Sequence, residues 1–363
     1  MLRKSLLAHV AASALAAGSI SVGGQALAQS FPMPGVQAHV DLYGGFGALN
    51  WNDTDSGFAF GGAGRANAPL MDRWNLQLDA QGSAFVFSGG KSAPQFGGYA
   101  HLYRRDPSNH AFGVFGGANY AREGGSTYQF GLEGQKYWEQ FTFYVQGSVL
   151  SLHDGPVDGW GLQLRKEGQW FLTDDTALLG DVMWTYTDVD GQGGNTLTLA
   201  GTLMHRFNGG PFSGFLQGRY DGFENQYVSV DQWSAVAGVR VSADALGSTD
   251  KSHRRTGAGM DVLQAPIYGF SGPLLASDRR LKRDVKLLRR LANGIGLYRY
   301  RYVWSDTVYV GVMAQEVATI VPDAVVQGAD GYLRVDYGRL GISLMTWGQW
   351  LAANRAGELA AAA

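Results

Sequence analysis

Between Val36 and Val241 apolar side chains recur at every second position, segment after segment, and that period of two leaves little choice of fold. Val36, Ala38, Val40 and Leu42 alternate with Gln37, His39 and Asp41, and Trp74, Leu76, Leu78 and Ala80 with Asn75, Gln77 and Asp79. Tyr128, Phe130 and Leu132 alternate with Gln129 and Glu133, and Phe141, Phe143, Val145 and Val149 with Thr142, Gln146 and Ser148. The pattern returns over 160–165, 196–203 and 233–241. Successive side chains of a strand leave opposite faces, so each segment has one apolar and one polar face. Breaks rich in turn residues separate them, among them Asn52-Asp53, Ser88-Gly89-Gly90, Asp154-Gly155-Pro156 and Asn208-Gly209-Gly210. About twelve segments of about ten residues are legible, and a mainly β body is expected over residues 29–243.

Two architectures satisfy this pattern. An antiparallel outer-membrane-type barrel turns its apolar faces to lipid and its polar faces to a lumen. A soluble antiparallel barrel or sandwich turns the apolar faces inward instead. Segment length and aromatic residues near segment ends (Tyr43, Trp74, Tyr103, Tyr137, Trp138, Trp160, Trp184 and Tyr186) favour the membrane barrel. So does the N-terminal segment. Arg3 and Lys4 precede a mostly apolar stretch from Leu6 to about Val22, and Ala26-Leu27-Ala28 places small residues where a signal peptidase reads them. Residues 1–28 are therefore expected to be a signal peptide. The exported chain would start at Gln29, bound for the outer membrane or otherwise the periplasm or the exterior. If the strand number is even, both ends of a barrel lie on the periplasmic side, and whatever follows the barrel is expected there.

Composition narrows the chemistry. The chain has no cysteine, which excludes disulfides, thiol nucleophiles and cysteine-ligated metals. A formal net charge of −2 gives no reason to expect nucleic acid as a partner. His39, His101, His110, His153 and His205 are scattered without metal-ligand spacing, and Gly61-Gly62-Ala63-Gly64 lacks the strand-to-helix context of a phosphate loop. No metal or cofactor is expected.

After Ala243 the alternation dissolves. The polar run from Gly247 to Arg255 reads as part of a linker, residues 244–276. A basic cluster follows, SDRRLKRDV from Ser277, then a short helix-like run, and on its own it reads as a solvated helix start. It is succeeded by LYRYRYVW, VGVMAQEV, VPDAV and DGYLRVDYGRL. Tyr298, Tyr300 and Tyr302 alternate with Arg299 and Arg301 as in a strand, 311–317 passes from strand to a helix stopped by Pro322, and Leu333, Val335 and Tyr337 suggest another strand. A small α+β domain over 277–351, with a tail at 352–363, is expected.

These five blocks, in this order over about Ser277 to Leu340, resemble the endosialidase-type intramolecular chaperone domain that ends phage tail fibres and tailspikes. The resemblance implies a domain that helps a β-structural client, here its own N-terminal body, to assemble as a homotrimer, and that then cuts itself off. Carried over, the scissile bond is Ala276–Ser277, with Ser277 as nucleophile and Lys282 as its base, a single-turnover serine endopeptidase. The residues make chemical sense of this. A serine hydroxyl needs a base to take its proton, and lysine serves only when neutral, with a pKa well below about 10.4. Arg279, Arg280 and Arg283 push in that direction. Five residues apart, Ser277 and Lys282 lie about 140° apart on an α-helix, so an extended or bent segment, or a subunit contact, must bring them together. Asp278 is expected to cap a turn, and Gln315 and Glu316 resemble the family's regular polar pair, either orienting the dyad or tying the fold. Beyond Leu340 only one short apolar stripe, Ile342 to Leu351, stands where phage relatives continue into a long helix. The other reading is a non-cleaving outer-membrane structural, porin-like or adhesin protein that keeps a vestigial tail-fibre module.

Overall fold

The computed structural model describes residues 36–353 apart from 52, 89–91, 122–124, 155–156, 190–191, 226–228, 244–248, 265–276, 304–305, 328–331, 336, 338–339 and 343. The expected signal peptide and Ala276 lie outside the described residues. The alternating segments form twelve antiparallel strands. These are β1 (Gln37–Trp51), β2 (Asp53–Met71), β3 (Trp74–Phe87), β4 (Ser92–Asp106), β5 (His110–Ala121) and β6 (Gly125–Tyr137). The second half comprises β7 (Phe141–Asp154), β8 (Val157–Thr173), β9 (Thr176–Val189), β10 (Gln192–Arg206), β11 (Phe212–Asn225) and β12 (Ser229–Ala243). Each pairs with its sequence neighbour, and β1 pairs with β12 from Ala38↔Ala243 to Asn50↔Asp231, so the sheet closes on itself. Closure removes every strand edge. Strands run from 12 to 19 residues, longer than the alternation alone delimits. One mouth, here proximal, holds Gln37, Ala243 and the turns after β2, β4, β6, β8 and β10; the distal mouth holds the other connections. At the turn after β10, Asn208 (φ 50°) and Gly209 (φ 60°) are both left-handed, the conformation that matches a tight hairpin to the twist of its strands.

The apolar faces point outward. Phe46, Leu78, Phe130, Leu132, Val149, Leu164, Leu199 and Val239 are exposed, while the intervening Gln77, Gln129, Glu133, Gln146, Gln163, Arg165, Thr198 and Arg240 are buried in the interior. This is the membrane-barrel polarity and the inverse of a soluble sandwich. Trp74, Trp138, Trp160 and Trp184 face outward as the sequence suggests. Tyr103 and Tyr137 do not: both are buried inside, and Tyr43 also turns inward to donate to Gln264 Oε1. Their parity along the strand, not their aromatic character, decides the face.

Many ionisable groups of the interior pair with one another. Arg240 donates to both carboxylate oxygens of Asp41 at 2.7 and 2.8 Å, Arg165 pairs with Asp181 at 2.6 Å, and His101 meets Glu133 at 3.0 Å. Charge-assisted pairs of this kind let a closed lumen hold many ionisable side chains.

The segment beyond β12 is more ordered than its linker-like composition suggests. Thr249 caps helix α1 (Asp250–Thr256), whose Asp250 and His253 are buried in the proximal mouth. His253 meets His39 at 2.9 Å, the Lys251 amide donates to Asp174 O at 3.0 Å, and Arg255 donates to the Trp138 and Phe141 carbonyls, which ties the helix to two proximal turns. Residues 257–264 then run inside the lumen. An even strand count leaves the chain at the proximal mouth, where a periplasmic tail would begin, but here the chain turns back into its own barrel.

The C-terminal region is the expected small α+β unit. Strands β13 (Lys282–Arg290), β14 (Gly296–Tyr302), β15 (Val308–Gly311) and β18 (Met345–Thr346) form one antiparallel sheet, and β16 (Val325–Gln327) pairs with β17 (Leu333–Val335). Helix α2 (Ala314–Ile320) follows β15, and residues 347–353 are helical. The helix-like run after the basic cluster instead continues β13, whose backbone pairs with β14 across two register shifts, the first of them at Asp284, which takes a φ of 53°. Ile295, Leu297, Val310, Val312, Val317 and Ala324 make one core, against which the stacked rings of Trp347 and Trp350 pack.

Candidate functional site

Ser277 and Lys282 are joined by a bend, as their spacing requires. Residues 277 and 278 carry no regular structure, Arg279–Leu281 form a single 3-10 turn, and Lys282 opens β13. Asp278 builds this bend. Its carboxylate accepts from the Arg280 amide at 2.9 Å, from the Arg280 guanidinium at 3.0 and 2.9 Å, and from the Leu333 amide at 3.0 Å. Burial would raise this carboxyl, but the donors from Arg280 and Leu333 outweigh it and hold it below the ordinary carboxylate range. The bond from the Arg280 amide caps the 3-10 turn, the role expected for Asp278, and the bond from Leu333 ties that turn to β17.

Gln315 and Glu316 part company. Gln315 Oε1 accepts from the Arg279 amide at 2.9 Å and so anchors the bend from helix α2. Glu316 points elsewhere, accepting from Arg290 at 2.7 Å and from Tyr298 at 2.8 Å, and it ties the strands without reaching Ser277 or Lys282.

Ser277 and Lys282 are both buried. The Ser277 amide donates to Leu333 O at 3.0 Å and its carbonyl accepts from the Ala314 amide at 2.9 Å, so its backbone is clamped between β17 and α2. No hydrogen bond joins Ser277 Oγ to Lys282 Nζ among the described residues. The link runs through a residue that the sequence reading placed in a strand. Tyr337 leaves β17 and sits in a turn, with its hydroxyl 3.2 Å from Ser277 Oγ. The Val312 amide donates to that same hydroxyl at 3.2 Å, and the Val312 carbonyl accepts from Lys282 Nζ at 2.7 Å. Tyr337 lies in the DGYLRVDYGRL block, but regular alternation with Leu333 and Val335 concealed that the strand ends before it.

The amine sits 4.0 Å from the centre of the Tyr300 ring, within a cluster that includes Tyr302, Tyr309 and Met313. Burial, helped by Arg279 and opposed by Asp278, pushes the Lys282 amine well below its ordinary value. Burial likewise pushes the Tyr300 and Tyr337 hydroxyls up, so they stay protonated. The pocket thus holds a serine hydroxyl, a proton-bearing tyrosine bridge and an amine disposed to be neutral. Such a set can move a proton off Ser277. No group of acidic or histidine side chains suited to a metal occurs among the described residues.

Solved structures with distant likeness include an outer membrane channel from Pseudomonas putida F1, at 13% identity over 58% of this chain and 96% of that one, with a TM-score of 0.44. The KdgM porin matches at 8% identity over 56% and 98%, with a TM-score of 0.37. The translocator domain of the autotransporter NalP from Neisseria meningitidis matches at 12% identity over 64% and 98%, with a TM-score of 0.38. These likenesses are too remote to carry a function across. No curated protein matches the chain. The family model described as chaperone of endosialidase matches residues 277–326, stopping short of the block that holds Tyr337. Following a closed barrel of twelve strands, the segment that begins at Ser277 is thus one that the chaperone-of-endosialidase family describes.

Proposed function

We propose that this protein is an exported outer-membrane barrel whose C-terminal domain, residues 277–351, assists assembly of the body and cuts the chain once, between Ala276 and Ser277. The observation that carries the reading is a buried Lys282 amine, depressed by its surroundings, linked through Val312 and Tyr337 to a buried Ser277 hydroxyl. Ser277 Oγ attacks the carbonyl carbon of Ala276 while its proton passes to Lys282. The bond from that carbon to Ser277 N breaks and the nitrogen takes a proton from Lys282, which leaves an ester on Oγ. Water then hydrolyses the ester, giving a carboxylate at Ala276 and a free amine and hydroxyl at Ser277. Tyr337 is a positioning residue that holds the hydroxyl and bridges it towards the amine.

A second reading has support in one feature: Lys282 is engaged by Val312 and makes no direct bond to Ser277. In that reading the domain is a non-cleaving module on an outer-membrane barrel. Intact-mass measurement decides between them. Wild-type chain should yield a fragment beginning at Ser277, whereas Ser277→Ala and Lys282→Met should stay full length. A wild type that remains intact, or a Ser277→Ala chain that still splits at this bond, refutes self-cleavage.

A further inference from the structure

The lumen of this barrel is filled by the chain itself, and the filling has a direction. Gly257 O accepts from Arg105 at 2.7 Å, one residue inside the proximal end of β4. Gly259 O accepts from Gln135 at 2.8 Å, and Met260 O from Gln77, slightly deeper on β6 and β3. Asp261 reaches the middle of β8, where its carboxylate pairs with Arg165 at 2.7 Å and with Arg65 at 3.4 Å. Val262 packs against Tyr99 and Phe115, and Gln264 O accepts from Arg219 at 2.7 Å, halfway along β11. From Gly257 to Asp261 the segment advances from the proximal mouth to the middle of the lumen, and residues 262–264 lie at that depth.

The distal end of the lumen is different in kind. There the inward side chains are apolar: Leu150, Leu152, Val189, Phe223 and Val230, none more than 4% exposed. A water-filled pore would leave such side chains wet. They are dry because they belong to one apolar cluster with Leu281, Tyr300, Tyr302, Tyr309, Met313 and Leu344 of the C-terminal domain, and Leu263 of the lumen segment packs on the same cluster. The distal mouth is a seat, and the domain sits in it.

We infer that the barrel is the conduit and the mount of its own C-terminal domain. The chain enters its lumen at the proximal mouth and closes it, and the domain is presented at the mouth opposite the barrel's two chain ends. In a barrel of even strand number those ends face the periplasm, so the domain faces the cell exterior. This inference rests on the outer-membrane reading above and deepens it.

The absence of cysteine makes the test clean. Ala292→Cys, in the exposed β13–β14 turn, and Ser108→Cys, in the exposed proximal turn after β4, are made separately in a full-length Ser277→Ala chain, so that the domain stays attached. Intact cells are treated with a membrane-impermeant maleimide, before and after the outer membrane is permeabilised. The Ala292→Cys chain should label fully in intact cells and the Ser108→Cys chain only after permeabilisation. If the chain is in the outer-membrane fraction but Ala292→Cys labels only after permeabilisation, in step with Ser108→Cys, the conduit is overturned while the membrane barrel stands. A chain absent from the outer-membrane fraction overturns the membrane barrel, and the conduit with it.

Discussion

Lys282 decides whether the C-terminal domain is a catalyst, because a charged amine cannot act as a base. Self-cleavage should therefore speed up as pH rises through the depressed pKa of Lys282 and level off well below about 10.4. Lys282→Arg should stay intact at every pH, since a guanidinium does not deprotonate in proteins; slow cleavage by that variant would remove Lys282 from the mechanism. Tyr337→Phe should retain cleavage at a rate lower by about tenfold, the worth of one hydrogen bond of roughly 1.4 kcal/mol, with an unchanged pH midpoint. The same burial has a cost in stability. Folding excludes a proton that the unfolded chain binds, so stability rises with pH from the folded pKa up to about 10.4, and the penalty is constant below that window. Amide-exchange protection of β13–β15 in full-length Ser277→Ala chain should therefore climb as pH rises towards about 10.4, and Lys282→Met should flatten the climb. Flat protection in the parent chain would mean that the amine is charged in the fold. Residue type and order singled out Ser277 and Lys282 as candidates and made the turn capped by Asp278 legible. Tyr337 was not, since its contact with Ser277 spans sixty residues and depends on where β17 ends.

At the scale of elements, alternation was enough to give the barrel class and about twelve strands, with segments quoted on β1, β3, β6, β7, β8, β10 and β12, because one buried face fixes register for every residue on it. It could not foretell their ends, which run past the alternating stretch. Nor could it foretell that α1 and the lumen segment are held by partners on the barrel wall. The lipid-facing assignment has a direct test. Leu164→Arg, outward near the middle of β8, should cost about 2–4 kcal/mol of folding stability in lipid vesicles, whereas lumen-facing Thr202→Arg should cost much less. Equal costs would argue that the outer face is not against lipid. The lumen segment has its own weak point at Gly259. A side chain there would place Cβ 1.9 Å from the Arg254 carbonyl, backbone against backbone. Gly259→Val should push residues 257–264 off the wall and leave α1 and the C-terminal domain open to protease, seen as new cuts after Arg254 or Arg255 in folded protein. Unchanged protection would show that the segment is held mainly by side chains further along.

Across the whole molecule, the position of the proposed cleavage site separates release of the domain from opening of the lumen. The proposed scissile bond follows the lumen segment in sequence, so cutting there would free residues 277 onward but leave α1 and 257–264 joined to β12. What closes the lumen stays behind. With that segment in place, the space remaining among Asp41, Arg65, Arg165 and Arg240 is a cavity of ≈ 140 Å³, too small and too charged-paired to serve as a solute path. The cleaved protein and the uncleavable Ser277→Ala chain should therefore be equally closed in planar lipid bilayers. What holds the segment at the middle of the lumen is Asp261, paired with Arg165 and Arg65. Asp261→Arg sets a third positive charge against two that are already fixed, turning attraction into repulsion in a region with little water to screen it. That single change should expel the segment and give open-channel currents whether or not the domain has been released. Open currents from cleaved wild type would instead make the domain, not the lumen segment, the closure of the pore.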